Sequence, residues 1–535
     1  MKSRLLHFLL TISSVVFAND NYPRNENIDI KHYTFEINLN DSTNVIGGIA
    51  NVEIRFKNAI NEFELDLTSK NAEEKGMIVS EITMDGKKIN FTHTGDRIMI
   101  TLPEKSQRSQ LKKFTVKYSG IPADGLIISK NKYGDRTFFG DNWPNRAHNW
   151  LPTIDHPYDK ASVDFIVSAP AHYTVVGCGV RLEESSIPGD RKITHWHEDA
   201  DLPTKVMVIG VARFAIEKSG EVNGIPVEAW VYPQNRTEGF SDYSPAVRVL
   251  DFFIGHVGEY SYKKLANVQS TTIYGGMENA SNIFYYENSV TGEGKVESLI
   301  AHEVAHQWFG DSASEDDWHH VWLSEGFATY FTHLYNEFTY GVDFRRNEMK
   351  EDRVNIINFY KKSPAPIVDT SITNLVKLLN TNSYQKGGWV LHMLRHKIGD
   401  ENFWLGIRTY YETYMNGNAL SEDLQRIMEE VSGQDLDTFF KQWLYRAGMP
   451  VLSGTWKYNQ GTKSVDFVIN QVQKEEPFVA SLEVAFYGED GITISVETIP
   501  LDGKTIKKSI KMGQKPVKIE LDPGTNLLFD GNISN

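Results

Sequence analysis

The sequence has a single cysteine, Cys178, and few basic residues for its length. One cysteine cannot form an intramolecular disulfide, which excludes disulfide scaffolds and cysteine-rich zinc modules. The 55 lysines and arginines are outnumbered by 70 aspartates and glutamates, giving a net charge of −15. No nucleic-acid partner is therefore expected, because such partners are usually held by a basic field. After residue 18 no apolar run reaches the roughly 20 residues that cross a bilayer, so no stable membrane insertion is predicted.

The sequence does have the material for several folded domains. Its 535 residues suggest about three or four domains at roughly 100–200 residues each. Hydrophobic residues make up 40% and aromatic residues 12%, a composition typical of folded rather than disordered proteins.

The first 18 residues have the pattern of a secretory signal peptide. Lys2 and Arg4 precede a mostly apolar run from Leu5 to Phe17, and Ala18 is a small residue suited to a cleavage site. The run is shorter than a membrane-spanning helix, which makes a retained anchor the weaker alternative. We therefore expect an exported protein, periplasmic or extracellular.

From residue 19 to 215 the hydropathy pattern has a period of two, which predicts an N-terminal antiparallel β domain. Phe35, Ile37 and Leu39, for example, alternate with polar residues. Asp85-Gly86 is a hairpin signal between two such runs.

From about residue 240 to 450 the pattern becomes helical, within a predicted domain of residues 216–450. Leu424, Ile427 and Met428, for example, have the spacing of one helix face. From 451 to 535 the alternation returns and predicts a small C-terminal β-sandwich. The predicted fold class is thus multi-domain α+β, with a mainly helical domain between two β domains.

The strongest chemical signal is the pentapeptide His302-Glu303-Val304-Ala305-His306. No glycine or proline interrupts residues 295–308, so the segment is predicted to be a helix. Residues four apart lie on the same face of a helix, so both imidazoles can reach one metal ion. The alternative is a surface helix on which two histidines and a glutamate coincide by chance.

Two histidines leave a catalytic zinc ion one protein ligand short, since such ions take three and keep a position for water. Glu325 is the candidate third ligand, because it begins a second predicted helix that can fold back on the first. With one zinc ion bound, the expected chemistry is attack by zinc-bound water, with Glu303 as the general base.

Two further motifs flank this site. Gly275-Gly276-Met277-Glu278-Asn279 lies about 25 residues upstream, and Tyr384-Gln385-Lys386-Gly387-Gly388 lies downstream. Together with the pentapeptide and Glu325, their order and spacing resemble the gluzincin zinc aminopeptidases, the family of aminopeptidase N and leukotriene hydrolase. The resemblance implies a thermolysin-like catalytic domain and peptide substrates with a free N-terminus.

The resemblance also implies a role for each matching residue. His302, His306 and Glu325 would bind zinc, and Glu303 would be the catalytic base. Tyr384 would donate a hydrogen bond to the oxyanion of the tetrahedral intermediate. The upstream motif would bind the substrate, with Glu278 on its α-amino group and the glycines along its backbone; its members are Gly275, Gly276, Met277, Glu278 and Asn279.

The chain departs from the family pattern in two places. Many members supply a second amino-group anchor from a loop of the first domain; residues 141–146 correspond to that loop, and Asn142 is a weak candidate. Well-known members also continue into a helical domain, so this chain resembles a short form that lacks it. His319-His320 is expected to lie near the metal or on the surface without binding it.

Other functions remain open from the sequence alone. The same site could act mainly as an epoxide or ester hydrolase, or the chain could be an exported binding protein with an inactive zinc site. An endopeptidase is also compatible with the zinc chemistry. The intact base, the three ligands and Tyr384 favour an active enzyme, and Glu278 favours an exopeptidase.

Overall fold

The computed structural model describes residues 20–535, so the predicted signal peptide lies outside the described residues. The N-terminal region is built on an eight-stranded sheet with two smaller sheets packed against it. Its strands are, in chain order, Ile28–Asn38, Ile46–Phe56, Glu62–Asp66, Gly76–Met84, Lys87–Lys88, Asn90–Thr94, Arg97–Thr101, Leu111–Ile121, Leu126–Lys130, Arg136–Gly140, Lys160–Pro170, Thr174–Gly177, Val180–Ile187, Arg191–Pro203 and Ile209–Ala212.

The pairing of the eight-stranded sheet is antiparallel with one exception. Strand Ile28–Asn38 pairs antiparallel with Ile46–Phe56 but parallel with Lys160–Pro170. A parallel neighbour needs a long crossover connection, and here the crossover contains most of the domain. The predicted alternation is visible in the burial, since Phe35, Ile37 and their cross-strand neighbours face the core.

The central region combines a five-stranded mixed sheet with α-helices. Its strands are ordered Ala215–Val222, Ile225–Val231, Leu265–Ser270, Asn282–Tyr286 and Gly276–Met277, so that the last is an edge strand. Residues 314–315 and 418–419 form one more short parallel pair. The α-helices of the described chain are Arg236–Tyr243, Ala246–His256, Glu297–His306, Trp322–Tyr340, Val342–Tyr360, Gly387–Ile398, Asp400–Tyr414, Ser421–Ser432 and Asp437–Leu444.

Short helical turns connect these elements. Residues 382–386 form a π-helical turn directly before the helix Gly387–Ile398. The 3-10 turns are Ala147–Asn149, Thr204–Val206, Pro233–Asn235, Glu287–Ser289, Trp318–His320 and Leu375–Leu378.

The two helices that carry the zinc motif pack side by side through an aromatic core. Phe309 follows the first helix, and its ring centroid lies 4.5 Å from that of Phe327 and 4.9 Å from that of Phe331, both on the second helix. All three rings are fully buried. Aromatic pairs at this separation stabilise the contact beyond the burial of their area.

The helix Trp322–Tyr340 is also tied to the helix that follows it. His333 lies between Glu348 and Asp352, with its two ring nitrogens 3.1 and 2.8 Å from their carboxylate oxygens. This ion-paired contact lies near the middle of the helix, about two turns after Glu325.

The C-terminal region is a two-sheet β-sandwich. One sheet has the order Thr505–Lys511, Ser464–Gln471, Val451–Asn459 and Asp530–Ser534, and the other has Thr493–Leu501, Ala480–Tyr487 and Lys518–Leu521. The sheets meet through Phe467 and Phe486, whose ring centroids are 6.3 Å apart. Among the described helices, none has the length and hydropathy needed to cross a membrane.

Candidate metal centre and cleft

The predicted zinc ligands converge where the two packed helices cross. His302 and His306 project from one face of the helix Glu297–His306, and their Nε2 atoms are 3.2 Å apart. Glu325, in the first turn of the helix Trp322–Tyr340, places Oε2 3.6 Å from His302 Nε2 and 3.3 Å from His306 Nε2. The structure therefore brings together the three donors that the sequence predicted.

The surroundings of these donors fit a metal ion. His306 Nδ1 lies 3.1 Å from the carbonyl oxygen of Phe309, so the ring donates its proton there and its Nε2 is free to bind a metal. Glu325 Oε2 is buried and has no hydrogen-bond partner. Burial alone lowers the pKa of His306, but the carboxylates of Glu325 and Glu278 raise it to about 10. The site strongly favours an added positive charge, and two imidazoles with one carboxylate suit one zinc ion.

Glu303 lies beside the ligands and is nine-tenths or more buried. Burial raises the pKa of its carboxyl well above the usual range. One oxygen of Glu303, one of Glu278 and a ring nitrogen of His306 lie within 4.8 Å of one another. The predicted base, Glu303, and the predicted amine-binding carboxylate, Glu278, are therefore close neighbours beside the metal ligand His306.

Of the two upstream glycines, Gly276 approaches Glu303 closely. It belongs to the edge strand of the five-stranded sheet. A Cβ atom at Gly276 would lie only 2.2 Å from Glu303 Oε1, whereas no atom lies within 4 Å of the same position at Gly275. Gly276 thus leaves the space that the Glu303 carboxylate occupies.

Glu278 follows this edge strand and points its carboxylate into a buried region. Its Oε1 atom has no hydrogen-bond partner, and burial raises the pKa of the carboxyl. The backbone carbonyl of Glu278 accepts a hydrogen bond from the side chain of Gln307, the residue after the last histidine ligand. Gln307 therefore joins the segment 275–279 to the helix of His302 and His306.

Tyr384 reaches the same place from the π-helical turn 382–386. Its ring stacks on that of His302, with centroids 6.0 Å apart and planes 9° apart. Gly326 and Gly387 allow this approach, because a Cβ atom on either would come within about 3 Å of the other's backbone. Burial, and then the carboxylates of Glu325 and Glu278, raise the pKa of Tyr384 well above its usual range, so the phenol keeps its proton.

A cavity of about 250 Å³ opens onto these groups. Its apolar walls come from Trp143 in the first domain and from Tyr274, Leu299 and Leu379 in the second. The remaining lining residues are the predicted site residues Gly275, Gly276, Met277, Glu278, His302, Glu303, His306, Glu325 and Tyr384.

Several expected residues lie outside this cavity. Asn279 is fully buried behind Glu278 and does not line it. Asn142 uses its amide nitrogen on the carbonyls of Thr204 and Met207 and accepts a hydrogen bond from Trp150, so it is not free to anchor a substrate. In the 141–146 loop, Trp143 is the residue that reaches the cavity.

The histidine pair between the ligand helices is buried rather than on the surface, and neither histidine belongs to the group of donors around His302, His306 and Glu325. His319 contacts the carbonyl oxygen of Ile372 at 3.1 Å through Nε2, and His320 contacts Ser421 Oγ at 2.8 Å through Nδ1. Both histidines support the turn that leads into the second ligand helix.

A buried ion pair behind the site was missed at the sequence level. Lys205, from the first domain, places Nζ 2.6 Å from Glu315 Oε1, and both side chains are almost fully buried. Gln307 was missed too, although its position directly after His306 was a usable signal. Lys205 and Glu315 are 110 residues apart, and neither has a local pattern that marks it.

Two histidines with a glutamate between them on one helix, and a distant glutamate on a second helix packed against it, are the arrangement of a zinc metallopeptidase of the gluzincin type. The Peptidase family M1 domain matches residues 243–443, and the Peptidase M1 N-terminal domain matches residues 30–206. Together the two matches cover more than half of the chain. The chain belongs to peptidase family M1.

Comparison with individual proteins agrees with this assignment. The chain is 27% identical over 405 residues to probable aminopeptidase 2 of Sulfurisphaera tokodaii, covering 70% of this chain and 50% of the relative. It is 26% identical to human glutamyl aminopeptidase, covering 71% and 42%, and 26% identical to rat aminopeptidase N, covering 57% and 35%. The chain thus spans about half the length of the curated relatives it matches, or less.

A solved structure has a similar fold. A mutant M1 zinc metallopeptidase from Deinococcus radiodurans superposes with a TM-score of 0.67 at 20% identity. The match covers 79% of this chain and 96% of that one. The order of β domain, helical catalytic domain and C-terminal β strands is therefore that of an M1 metallopeptidase.

Proposed function

We propose that the chain is a zinc aminopeptidase that removes the N-terminal residue of peptides. The observation that carries the proposal is the position of Glu278, a buried carboxylate with an unpartnered oxygen beside Glu303 and the metal ligands. A free α-ammonium group gains a charge-assisted hydrogen bond there. An acylated amine carries no positive charge to pair with the Glu278 carboxylate, and an unpaired buried charge is costly.

The chain's own residues divide the chemistry between them. His302, His306 and Glu325 would hold a zinc ion, which would supply Lewis-acid chemistry and would lower the pKa of water to about 7. Glu303, whose pKa burial raises, accepts the proton from water and delivers it to the leaving amine. Tyr384 keeps its proton and donates a hydrogen bond to the developing oxyanion.

Hydrolysis of aminoacyl-arylamides, each paired with its N-acetylated twin, tests the proposal. The wild type should cleave only the free amines. Glu303→Gln should retain zinc by elemental analysis and lose roughly 10²–10⁴-fold in kcat, the usual contribution of a general base. Glu293→Gln, an exposed glutamate just upstream of the same helix, is the matched control and should keep wild-type kcat.

Two outcomes would contradict the proposal. Cleavage of the acetylated twins at a rate similar to that of the free amines would remove Glu278 as an amine anchor and indicate an endopeptidase or esterase. Near-normal turnover by Glu303→Gln with zinc bound would reject Glu303 as the base.

We also propose that the protein is exported to the periplasm or the cell exterior. The support is the basic start at Lys2 and Arg4, the short apolar run and the small Ala18. N-terminal sequencing of the protein made in its own cells should begin at Asn19. A chain that retains Met1 and fractionates with the cytoplasm would contradict export.

A further inference from the structure

A buried glutamine connects the metal-binding helix with the segment that follows the edge strand. Gln307 comes directly after the ligand His306, and its side chain is fully buried. It does not line the cavity beside the metal ligands, so it does not touch a substrate bound there. Any part that Gln307 plays in substrate recognition must therefore act through the residues that it contacts.

Both ends of the Gln307 side chain are used on the backbone of residues 278–281. Nε2 donates a hydrogen bond to the carbonyl oxygen of Glu278 and lies 3.5 Å from that of Asn279. Oε1 accepts a hydrogen bond from the backbone N–H of Ser281 at 2.8 Å. Because a carbonyl oxygen only accepts and a backbone N–H only donates, these contacts fix which way the amide points.

Two buried side chains also contact the Gln307 amide. Asp311 Oδ2 lies 2.9 Å from Nε2, and the Tyr260 hydroxyl lies 3.3 Å from Oε1. A buried amide with partners on both of its ends is costly to turn or to remove, since each partner would be left without a hydrogen bond. The amide is thus a rigid link between the metal-binding helix and residues 278–281.

The segment 278–281 has a conformation that needs outside support. Ser281 has a φ of 60°, in the left-handed region that residues other than glycine rarely adopt. Such a conformation persists where the surrounding contacts determine it. Ser281 Oγ accepts hydrogen bonds from the N–H of Gly179 at 2.8 Å and from Lys264 Nζ at 3.1 Å. Gln307 adds the contact from the side of the metal ligands.

The direction of the Glu278 carboxylate depends on this backbone. Its Oε1 atom has no hydrogen-bond partner among the described residues, so no contact at that oxygen holds it in place. A carboxylate oxygen of Glu278 lies within 4.8 Å of a ring nitrogen of His306 and of an oxygen of Glu303. A displaced backbone at residue 278 would move the carboxylate from this position.

We propose that Gln307 is a positioning residue for recognition of the substrate's α-amino group, because it holds the backbone that carries Glu278. The inference rests on the proposed function, in which Glu278 binds the free α-ammonium group. Loss of the Gln307 contacts should weaken ligands with a free amine and spare ligands whose amine is acylated, since only the former use the carboxylate. A glutamine with a purely structural role would affect both kinds of ligand equally.

Calorimetric binding of two zinc-binding probes tests this role without any turnover. Leucine hydroxamate carries the free amine, and N-acetyl-leucine hydroxamate is its acylated twin. The dissociation constant of the acylated probe divided by that of the free amine isolates the contribution of the ammonium group. In zinc-loaded Gln307→Met, which replaces the amide by an apolar side chain of similar size, this ratio should fall roughly tenfold or more, as expected for a lost charge-assisted hydrogen bond.

Two further variants keep the test specific. Gln442→Met is the matched control, because Gln442 is a buried glutamine that holds the backbone of Val479, with its N–H at 2.9 Å and its carbonyl oxygen at 2.7 Å. It should keep the wild-type ratio. Gln307→Asn keeps an amide but withdraws it by one methylene group, so it should also lower the ratio, and it answers the question if Gln307→Met does not fold. The zinc content of each variant, measured in the same samples, should equal that of the wild type.

The proposal is overturned if the wild type prefers the free amine and the Gln307 variants keep the ratio within threefold of it. It is equally overturned if Gln442→Met lowers the ratio as much as they do, or if both Gln307 variants lose their zinc, because Gln307 would then act on the metal ligands. A wild type that binds both probes equally would overturn the amine-binding role of Glu278 as well. Failure of the proposed function is thereby distinguished from failure of this positioning role.

Discussion

Replacing Gly276 by alanine should impair catalysis although it replaces no side chain that takes part in the proposed reaction. The added methyl group would lie 2.2 Å from Glu303 Oε1 and 2.4 Å from its Cδ, whereas ordinary van der Waals contact begins at 3.4 Å. Because Gly276 is not in the left-handed backbone region, alanine itself is not strained there. The carboxylate must therefore move by about 1 Å, a misplacement that can cost roughly 10²-fold in rate, or about 2.7 kcal/mol.

The assay is kcat and KM on a leucyl-arylamide, with zinc content measured in the same samples. Gly276→Ala should keep its zinc and lose about 10²-fold in kcat. Gly275→Ala is the control, because its methyl group meets no atom within 4 Å and projects into the cavity; its effect should be confined to KM. The reasoning is refuted if Gly276→Ala keeps kcat within threefold of the wild type, or if the two variants behave alike.

Three further perturbations probe the oxyanion donor, the buried ion pair and the helix contact. Tyr384→Phe should lower kcat by roughly 10²–10³-fold with little change in KM, as expected for a hydrogen bond made only in the transition state; a pure KM effect would reject the role. Lys205→Met leaves Glu315 buried and unpaired, so it should lower the free energy of unfolding, measured with urea, by about 3–5 kcal/mol. Lys205→Met/Glu315→Leu removes the unpaired charge and should restore most of that loss. Equal stability of the single and double variants would contradict this. Burial lowers the pKa of His333, but its two carboxylate partners raise it to about 9. Charged His333 should therefore contribute roughly 1–3 kcal/mol to the free energy of unfolding. This contribution is complete below about pH 6.5 and is lost as the pH rises through 9. His333→Gln should abolish that part of the pH dependence of stability, and an unchanged profile between pH 6.5 and 9.5 would show that the ion pairs do not contribute.

Local patterns predicted the parts of this protein whose structure is decided locally. Alternation along strands such as Ile28–Asn38 and the 3.6-residue period of the later helices are consequences of burying one face of each element. The helix of His302 and His306 could be predicted from an uninterrupted segment without glycine or proline, and the spacing of the two histidines placed them on one face. The parallel pairing of Ile28–Asn38 with Lys160–Pro170 could not be predicted, because the register of strands that are more than 120 residues apart is set by the whole domain.

The metal ligands could be predicted from the sequence, whereas the structure that positions the other site residues could not. Tyr384 lies in a π-helical turn, for which no residue pattern is diagnostic, so its approach to His302 could be expected only from the family resemblance. In the 141–146 loop, the sequence indicated a residue that does not reach the cavity. Asn142 was a weak candidate for a substrate contact, yet its amide donates to two backbone carbonyls, and the apolar Trp143 reaches the cavity. A side chain's type indicates what it can bind, but tertiary placement decides which partner it has.

The three motifs of the site are joined by contacts that only glycine permits. Gly276 leaves space for the base, and Gly326 lies against Gly387, so that the turn carrying Tyr384 can approach the helix that begins near Glu325. Each of these glycines is next to, or within three residues of, a group with a proposed role on the substrate or the metal. Gly326 and Gly387 bring two backbones together beside Glu325 and Tyr384, whereas Gly276 leaves room for the side chain of Glu303, the proposed base. A methyl group at any of these positions should move a reacting group while leaving the metal donors chemically intact, and so should lower kcat more than it raises KM.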